Sequence, residues 1–110
     1  MNIEIHAPQG EVPEKLIDEI KSGLTKLHQQ FVDISMVTVH FREETYHPYL
    51  KNYICEIDVT IFGNSFSVSR NTDSFEESAD AVMKLVSEKI NELANKQSEP
   101  PEEQISTVKV

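Results

Sequence analysis

The sequence predicts a small α+β domain in which two helices pack on one face of a four-stranded sheet. Segments with helical spacing of apolar residues and segments with strict alternation follow one another in the order β-α-β-β-β-α. The alternating segments are apolar on one side only, which favours a sheet with one polar face and one face covered by helices. A length of 110 residues with 38% hydrophobic content is enough for one such core.

The first strand and the first helix are predicted within residues 2–31. Ile3, Ile5 and Ala7 alternate with polar residues, as in a half-buried strand. Pro13 suits the first turn of a helix, because its missing N–H would have no partner there in any case. The helix then carries apolar residues at three- and four-residue spacing, namely Leu16, Ile20, Leu24, Leu27 and Phe31. Since a helix separates the first two strands, these strands can be parallel neighbours.

Three alternating segments predict the next three strands. Their apolar residues are Val37, Val39 and Phe41, then Tyr53, Cys55, Ile57, Val59 and Ile61, then Phe66 and Val68. Residues 62–65, Phe-Gly-Asn-Ser, have the composition of a compact turn. Residues 43–52 lie between the first two of these strands and are expected to form a loop.

The second helix is predicted over residues 75–96. Ser74 and Glu77 have the spacing of a capping box, in which the serine hydroxyl accepts an N–H from the first helical turn. The apolar stripe that follows consists of Phe75, Ala79, Val82, Val86, Ile90 and Leu93. Residues 1–96 are therefore expected to form the domain. Residues 97–110 are acidic and contain prolines, which predicts a disordered C-terminal tail.

The charge of the chain argues against non-specific attraction to DNA or to a membrane surface. Lys and Arg total 10 against 19 Asp and Glu, a formal net charge of −9. Counterion release needs clustered cations, so only a local basic patch would bind nucleic acid. No apolar run is long enough to span a bilayer and no basic, apolar leader follows Met1, so a cytoplasmic protein is expected.

No catalytic motif is found in the sequence, so the protein is not expected to be an enzyme and no cofactor is implied. Cys55 lies on the apolar side of its strand, which predicts a buried, structural thiol. A polar cluster on the open sheet face has two interpretations, a solvated surface or a divalent-metal site. Its members are Glu4, His6, His40, Glu56 and Asp58. Because half-buried sheets normally direct polar residues outward, the solvated surface is favoured and no metal site is predicted.

Several segments resemble the ribosome hibernation promoting factor family, also called ribosome-associated inhibitor A or sigma-54 modulation proteins. The second helix carries TDSFEESAD and MKL, and the first helix ends in TKLHQQF. The strand segments VTVHFREE and FGNSFSVSR are similar to the family in character. The resemblance spans Asn2 to Lys96 and implies a fold similar to double-stranded-RNA-binding domains. It corresponds to the short form of the family, which lacks the domain that pairs ribosomes.

The resemblance also implies a function in translation. Family members bind the small ribosomal subunit near the decoding channel and block mRNA and tRNA during stress. They contact rRNA phosphates through lysine and arginine side chains on the helices. The matching cations in this chain, and hence the expected RNA-binding residues, are Lys26, Arg70, Lys84, Lys89 and Lys96. The implied partner is the small ribosomal subunit, and the implied activity is inhibition of translation.

Acidic residues around these cations leave a second interpretation open. Glu77, Asp80 and Glu88 surround Lys84 on the outward side of the second helix. Ser87 and Glu88 also stand where family members usually carry arginine and glutamine. A divergent member that retains the fold can act as a protein-interaction or regulatory module without binding rRNA. The distribution of charge over the two helices discriminates between these interpretations.

Overall fold

A computed structural model describes residues 1–8, 12–47 and 50–98, with side chains described except at positions 46, 47 and 96–98. The elements in chain order are β1 Asn2–His6, α1 Glu14–Gln30, β2 Ile34–His47, β3 Leu50–Ile61, β4 Asn64–Thr72 and α2 Phe75–Ser98. This order confirms the predicted β-α-β-β-β-α fold. Neither of these two helices has the length and hydropathy needed to cross a membrane.

The four strands form one sheet in the order β1-β2-β3-β4. β1 pairs parallel to β2 across the α1 connection, as predicted, and the other two pairings are antiparallel. The turn between β3 and β4 consists of Phe62 and Gly63, whose φ angles of 55° and 76° are both positive. Two positive φ values are typical of the type I′ turn, whose twist matches that of the flanking strands.

The core lies between the helices and one face of the sheet. All six residues expected to form the centre of the helical stripes are buried: Leu16, Ile20, Leu24, Val82, Val86 and Ile90. They meet the inward side of the strands, whose buried residues include Val37, Val39, Ile57 and Val59. Phe75 anchors the start of α2 through edge-to-face contacts with Phe41 and Tyr53. The predicted packing of both helices on one face is therefore confirmed.

The start of α2 is fixed by two serines. The Ser74 hydroxyl accepts the N–H of Glu77 at 3.1 Å, which confirms the predicted N-cap. Ser78 is fully buried, a position that the apolar periodicity did not predict. Its hydroxyl donates to the carbonyl of Tyr53 and lies 2.7 Å from Thr72 Oγ1. This serine therefore ties α2 to both β3 and β4.

The prediction of a loop over residues 43–52 was wrong. β2 continues to His47 and β3 begins at Leu50, so the two strands form a long hairpin whose residues 48 and 49 lie outside the described ranges. Apart from Leu50, which is exposed, the described side chains of this segment are polar, so the alternation that marks a half-buried strand is missing. Cross-strand contacts hold it instead, such as the ion pair between Lys51 Nζ and Glu43 Oε1 at 3.4 Å.

Other boundaries differ by small amounts. α1 begins at Glu14 with Pro13 as the N-cap and ends at Gln30, one residue short of the prediction at each end. The alternation along β3 places Ile54 on the side of the strand that faces away from the core cluster. It is nevertheless only 6% exposed, between its cross-strand neighbours Arg42 and Asn71. α2 ends at Ser98, two residues into the predicted tail, whose remaining residues from position 99 onward lie outside the described part of the chain.

Candidate nucleic-acid interface

The two helices run in the same direction across the sheet. A Cβ atom at Gly23 of α1 would lie 3.0 Å from Met83 Cε of α2, so the middles of the helices are adjacent. Leu16 and Glu76, near the first turns of the two helices, line the same groove. The N-terminal ends of α1 and α2 therefore lie together at one end of the molecule.

Charge is divided unevenly along these parallel helices. The first turns of the helices, residues 14–20 and 75–80, carry a group of carboxylates that we call the acidic end: Glu14, Asp18, Glu19, Glu76, Glu77 and Asp80. The remainder of the helices, residues 21–30 and 81–98, carries the lysines of what we call the lysine-bearing half: Lys21, Lys26, Lys84, Lys89 and Lys96. Lys15 lies in the acidic end, and Glu88 and Glu92 lie in the lysine-bearing half. This arrangement complements the helix dipoles, and it also separates a surface that repels phosphate from one that attracts it.

The structure brings four of the five predicted RNA-binding residues into the lysine-bearing half. Lys26 is exposed and, among the described residues, has no carboxylate within ion-pair distance. Lys84 pairs with Asp80 at 3.4 Å, with both side chains about three-quarters exposed at 74% and 73%. Lys89 pairs with Glu92 at 3.7 Å. Lys96 lies in α2, and its side chain is outside the described part of the chain.

Arg70, the fifth predicted residue, does not lie on the helices that carry the lysines. It lies on the edge strand β4 opposite Cys55, and its guanidinium donates to the carbonyl of Ser69 at 3.0 Å. A further lysine near this surface is Lys21, which is exposed on α1 and has no ion-pair partner among the described residues. It was not among the predicted residues because none of the family-like segments includes it.

The open sheet face places its two histidines side by side. The rings of His6 and His40 stack with centroids 5.1 Å apart and planes inclined by 12°. His6 Nε2 lies 3.4 Å from Glu4 Oε1, and His40 Nε2 lies 3.5 Å from Asp58 Oδ2. Within the described residues, no three histidine, cysteine or carboxylate side chains converge as a metal site. The arrangement is that of a paired polar surface.

This open face is also unsuited to phosphate. Its arginine, Arg42, contacts Glu56 at 3.3 Å and Glu44 at 3.4 Å. The hydrogen bond to Glu56, supported by Glu44, raises the pKa of Arg42 and holds its charge between two carboxylates. The Ser67 hydroxyl similarly donates to Asp58. A phosphate approaching this face would meet carboxylates before any free cation, so the helical layer is the better candidate surface.

Cys55 is fully buried within the sheet, as predicted. Burial raises the pKa of its thiol to about 12, so the reactive thiolate is scarce at neutral pH. The residue therefore acts as a small apolar side chain of the core.

Comparison with known proteins identifies the family. Residues 3–98 match the model of the family described as sigma 54 modulation protein / S30EA ribosomal protein. A ribosomal subunit interface protein from Coxiella burnetii has a similar structure, with a TM-score of 0.69 at 13% identity over 86% of this chain and 99% of that one. The N-terminal domain of Protein Y from Thermus thermophilus gives a TM-score of 0.67 at 16% identity over 84% and 99%. At these identities the similarity shows the fold. No curated protein sequence matches significantly.

Proposed function

Because the chain belongs to the sigma 54 modulation protein / S30EA ribosomal protein family, we propose that it is a cytoplasmic hibernation factor that binds the small ribosomal subunit and inhibits translation. The family match over residues 3–98 is the observation that carries this proposal. The proposed partner surface is small-subunit rRNA near the decoding channel, where bound protein excludes mRNA and tRNA.

The lysine-bearing half is the proposed contact surface for rRNA. Lys21 and Lys26 have no ion-pair partner within the described part of the chain, while Lys84 and Lys89 pair with carboxylates of their own helix. Exposed pairs of this kind contribute only about 0.3–0.5 kcal/mol. A phosphate can therefore replace the carboxylate partner of either lysine at a small cost in free energy. RNA duplexes are recognised chiefly through shape and backbone contacts, which fits a surface of separated point charges.

The small number of cations predicts how binding depends on salt. Each neutralised phosphate releases counterions, so the logarithm of the affinity falls linearly with the logarithm of the salt concentration. A surface with few lysines gives a slope that is still steep but shallower than that of a protein with many phosphate contacts, and the acidic end lowers the affinity further by repulsion. We therefore expect binding that is clear at low salt and strongly reduced at high salt.

The test is co-sedimentation with purified small subunits from the same source, with large subunits as the matched control. We expect the protein in the small-subunit fraction at low salt, its release as salt is raised, and inhibition of translation in a matching extract. A protein that stays at the top of the gradient at low salt, and does not inhibit translation, would contradict the proposed function.

The acidic end favours one alternative. Six carboxylates against one lysine over residues 14–20 and 75–80 form a surface that repels RNA. A divergent family member that uses this surface would act as a protein-interaction or regulatory module without rRNA binding. In that case neither ribosomal subunit would retain the protein, and a protein partner would bind the first halves of the helices.

A further inference from the structure

A groove opens between the first halves of α1 and α2. It has a volume of about 300 Å³, and its floor is formed by apolar side chains of both helices, including Leu16, Ile20, Ala79 and Met83. The groove continues past Leu16 into a smaller hollow of about 180 Å³ beside Pro13 and Lys15. Gly23 contributes to its width, because a side chain at this position would meet the end of Met83.

The rim of this groove is acidic. Glu19 on one side and Glu76 and Asp80 on the other line the opening, and all three are exposed. Asp80 pairs with Lys84, whereas Glu19 and Glu76 have no ion-pair partner among the described residues. An apolar floor between unpaired carboxylates is complementary to a side chain with an apolar stem and a positive head. Lysine and arginine have this form.

We propose that the groove between α1 and α2 binds a basic peptide segment of a protein partner, one that combines arginine with leucine. Apolar side chains of the segment lie on Leu16 and Met83, and its cationic heads reach Glu19 and Glu76. Arginine fits best, since a guanidinium can donate two parallel hydrogen bonds to one carboxylate. Met83 is flexible and polarisable, so it adapts to different apolar side chains. The volume lies at the lower end of the range of about 300–1,000 Å³ for ligand sites, which suits a few side chains of a peptide.

This site adjoins the proposed rRNA surface at the pair of Asp80 with Lys84, but Glu19 and Glu76 lie outside that surface. The groove lies at the acidic end, and its carboxylates would repel the phosphates that the lysine-bearing half attracts. Peptide binding and ribosome binding can therefore be disabled independently. Substitution of Glu19 and Glu76 should weaken peptide binding without affecting ribosome binding, and substitution of Lys26 should do the reverse.

The experiment uses the full chain and a short fluorescein-labelled peptide of alternating leucine and arginine, with fluorescence anisotropy as the readout. The double substitution Glu19→Gln and Glu76→Gln removes both unpaired rim charges without changing side-chain shape. We expect it to weaken peptide binding about fivefold, the effect of two partly exposed charge pairs. The matched control is Asp18→Asn with Glu88→Gln, which removes one carboxylate from each helix outside the groove. We expect the control to change the affinity by less than about twofold.

A second readout locates the peptide. In ¹⁵N-labelled protein, the amide signals of Gly23 and Ala79 should shift on addition of the peptide, while those of the edge strand β4 should not. Equal weakening by the two double variants would show attraction to the overall negative charge and would overturn the proposal. The proposal also fails if a single-stranded RNA of equal length shifts the groove signals, or if they shift with protein concentration alone, as in self-association.

Discussion

Ser78 offers a sharp test of how α2 is attached to the sheet. Its hydroxyl is fully buried and bonds both the Tyr53 carbonyl and Thr72 Oγ1. Ser78→Ala leaves the carbonyl without this donor, which costs about 1–3 kcal/mol. Alanine has a higher helix propensity than serine, which stabilises the variant by about 0.5 kcal/mol. The net loss is therefore about 0.5–2.5 kcal/mol. At about 4–8 °C per kcal/mol for a domain of this size, it corresponds to a fall in melting temperature of about 2–20 °C.

The assay is thermal unfolding followed by circular dichroism, with Ser22→Ala as the matched control. Ser22 is exposed on α1, so the same substitution there gains helix propensity and loses no buried bond. A double-mutant cycle with Thr72→Val should give non-additive losses, because the two hydroxyls contact each other. If the melting temperature of the Ser78→Ala variant equals or exceeds that of the Ser22→Ala variant, the hydrogen bond from α2 to β3 contributes no stability and the reasoning is wrong.

Three further predictions concern the core and the open face. Val86→Asp should abolish cooperative unfolding, because a fully buried position would receive an unpaired charge costing several kcal/mol. Asn91→Asp, on the exposed side of α2, should leave the melting temperature almost unchanged. The thiol reagent DTNB should label Cys55 slowly at pH 8 in the folded protein and rapidly in denaturant, since burial raises its pKa to about 12; rapid labelling of the native protein would show that the strand is accessible. Zinc or nickel should leave the melting temperature unchanged, and a rise that His6→Ala or His40→Ala removes would reveal a metal site.

Much of the fold could be predicted from the sequence because each element has one apolar side. The periodicity of Leu16, Ile20 and Leu24 and the alternation around Val39 and Ile57 reflect burial on one face directly. The hairpin over residues 43–52 was missed because its sequence lacks the alternation of apolar and polar residues. Its pairing is set by backbone hydrogen bonds and by contacts such as that of Glu43 with Lys51. Ser78 was missed for a related reason, since a buried serine bonded to the sheet interrupts an apolar stripe.

The charged surface was harder to predict than the core. Individual cations such as Lys26 and Lys84 were identified from the family resemblance, but their grouping depends on the parallel course of the two helices. The approach of Met83 to Gly23, together with the groove that Leu16 and Glu76 line, places the first halves of the helices side by side. The groove and its acidic rim follow from that arrangement, and neither Glu19 nor Glu76 is distinctive in the sequence alone.

The most direct test of the central claim is the affinity for small ribosomal subunits of two charge-reversed variants. Lys26→Glu with Lys84→Glu alters the lysine-bearing half, and Lys15→Glu with Lys51→Glu makes the same change in net charge at the acidic end and in the β2–β3 hairpin. We expect the first variant to bind at least about tenfold more weakly than the unmodified chain, because two phosphate contacts become repulsive. We expect the second to bind within about threefold of it, since screening limits the effect of distant charges. Equal affinities for the two variants would contradict an rRNA interface on the lysine-bearing half.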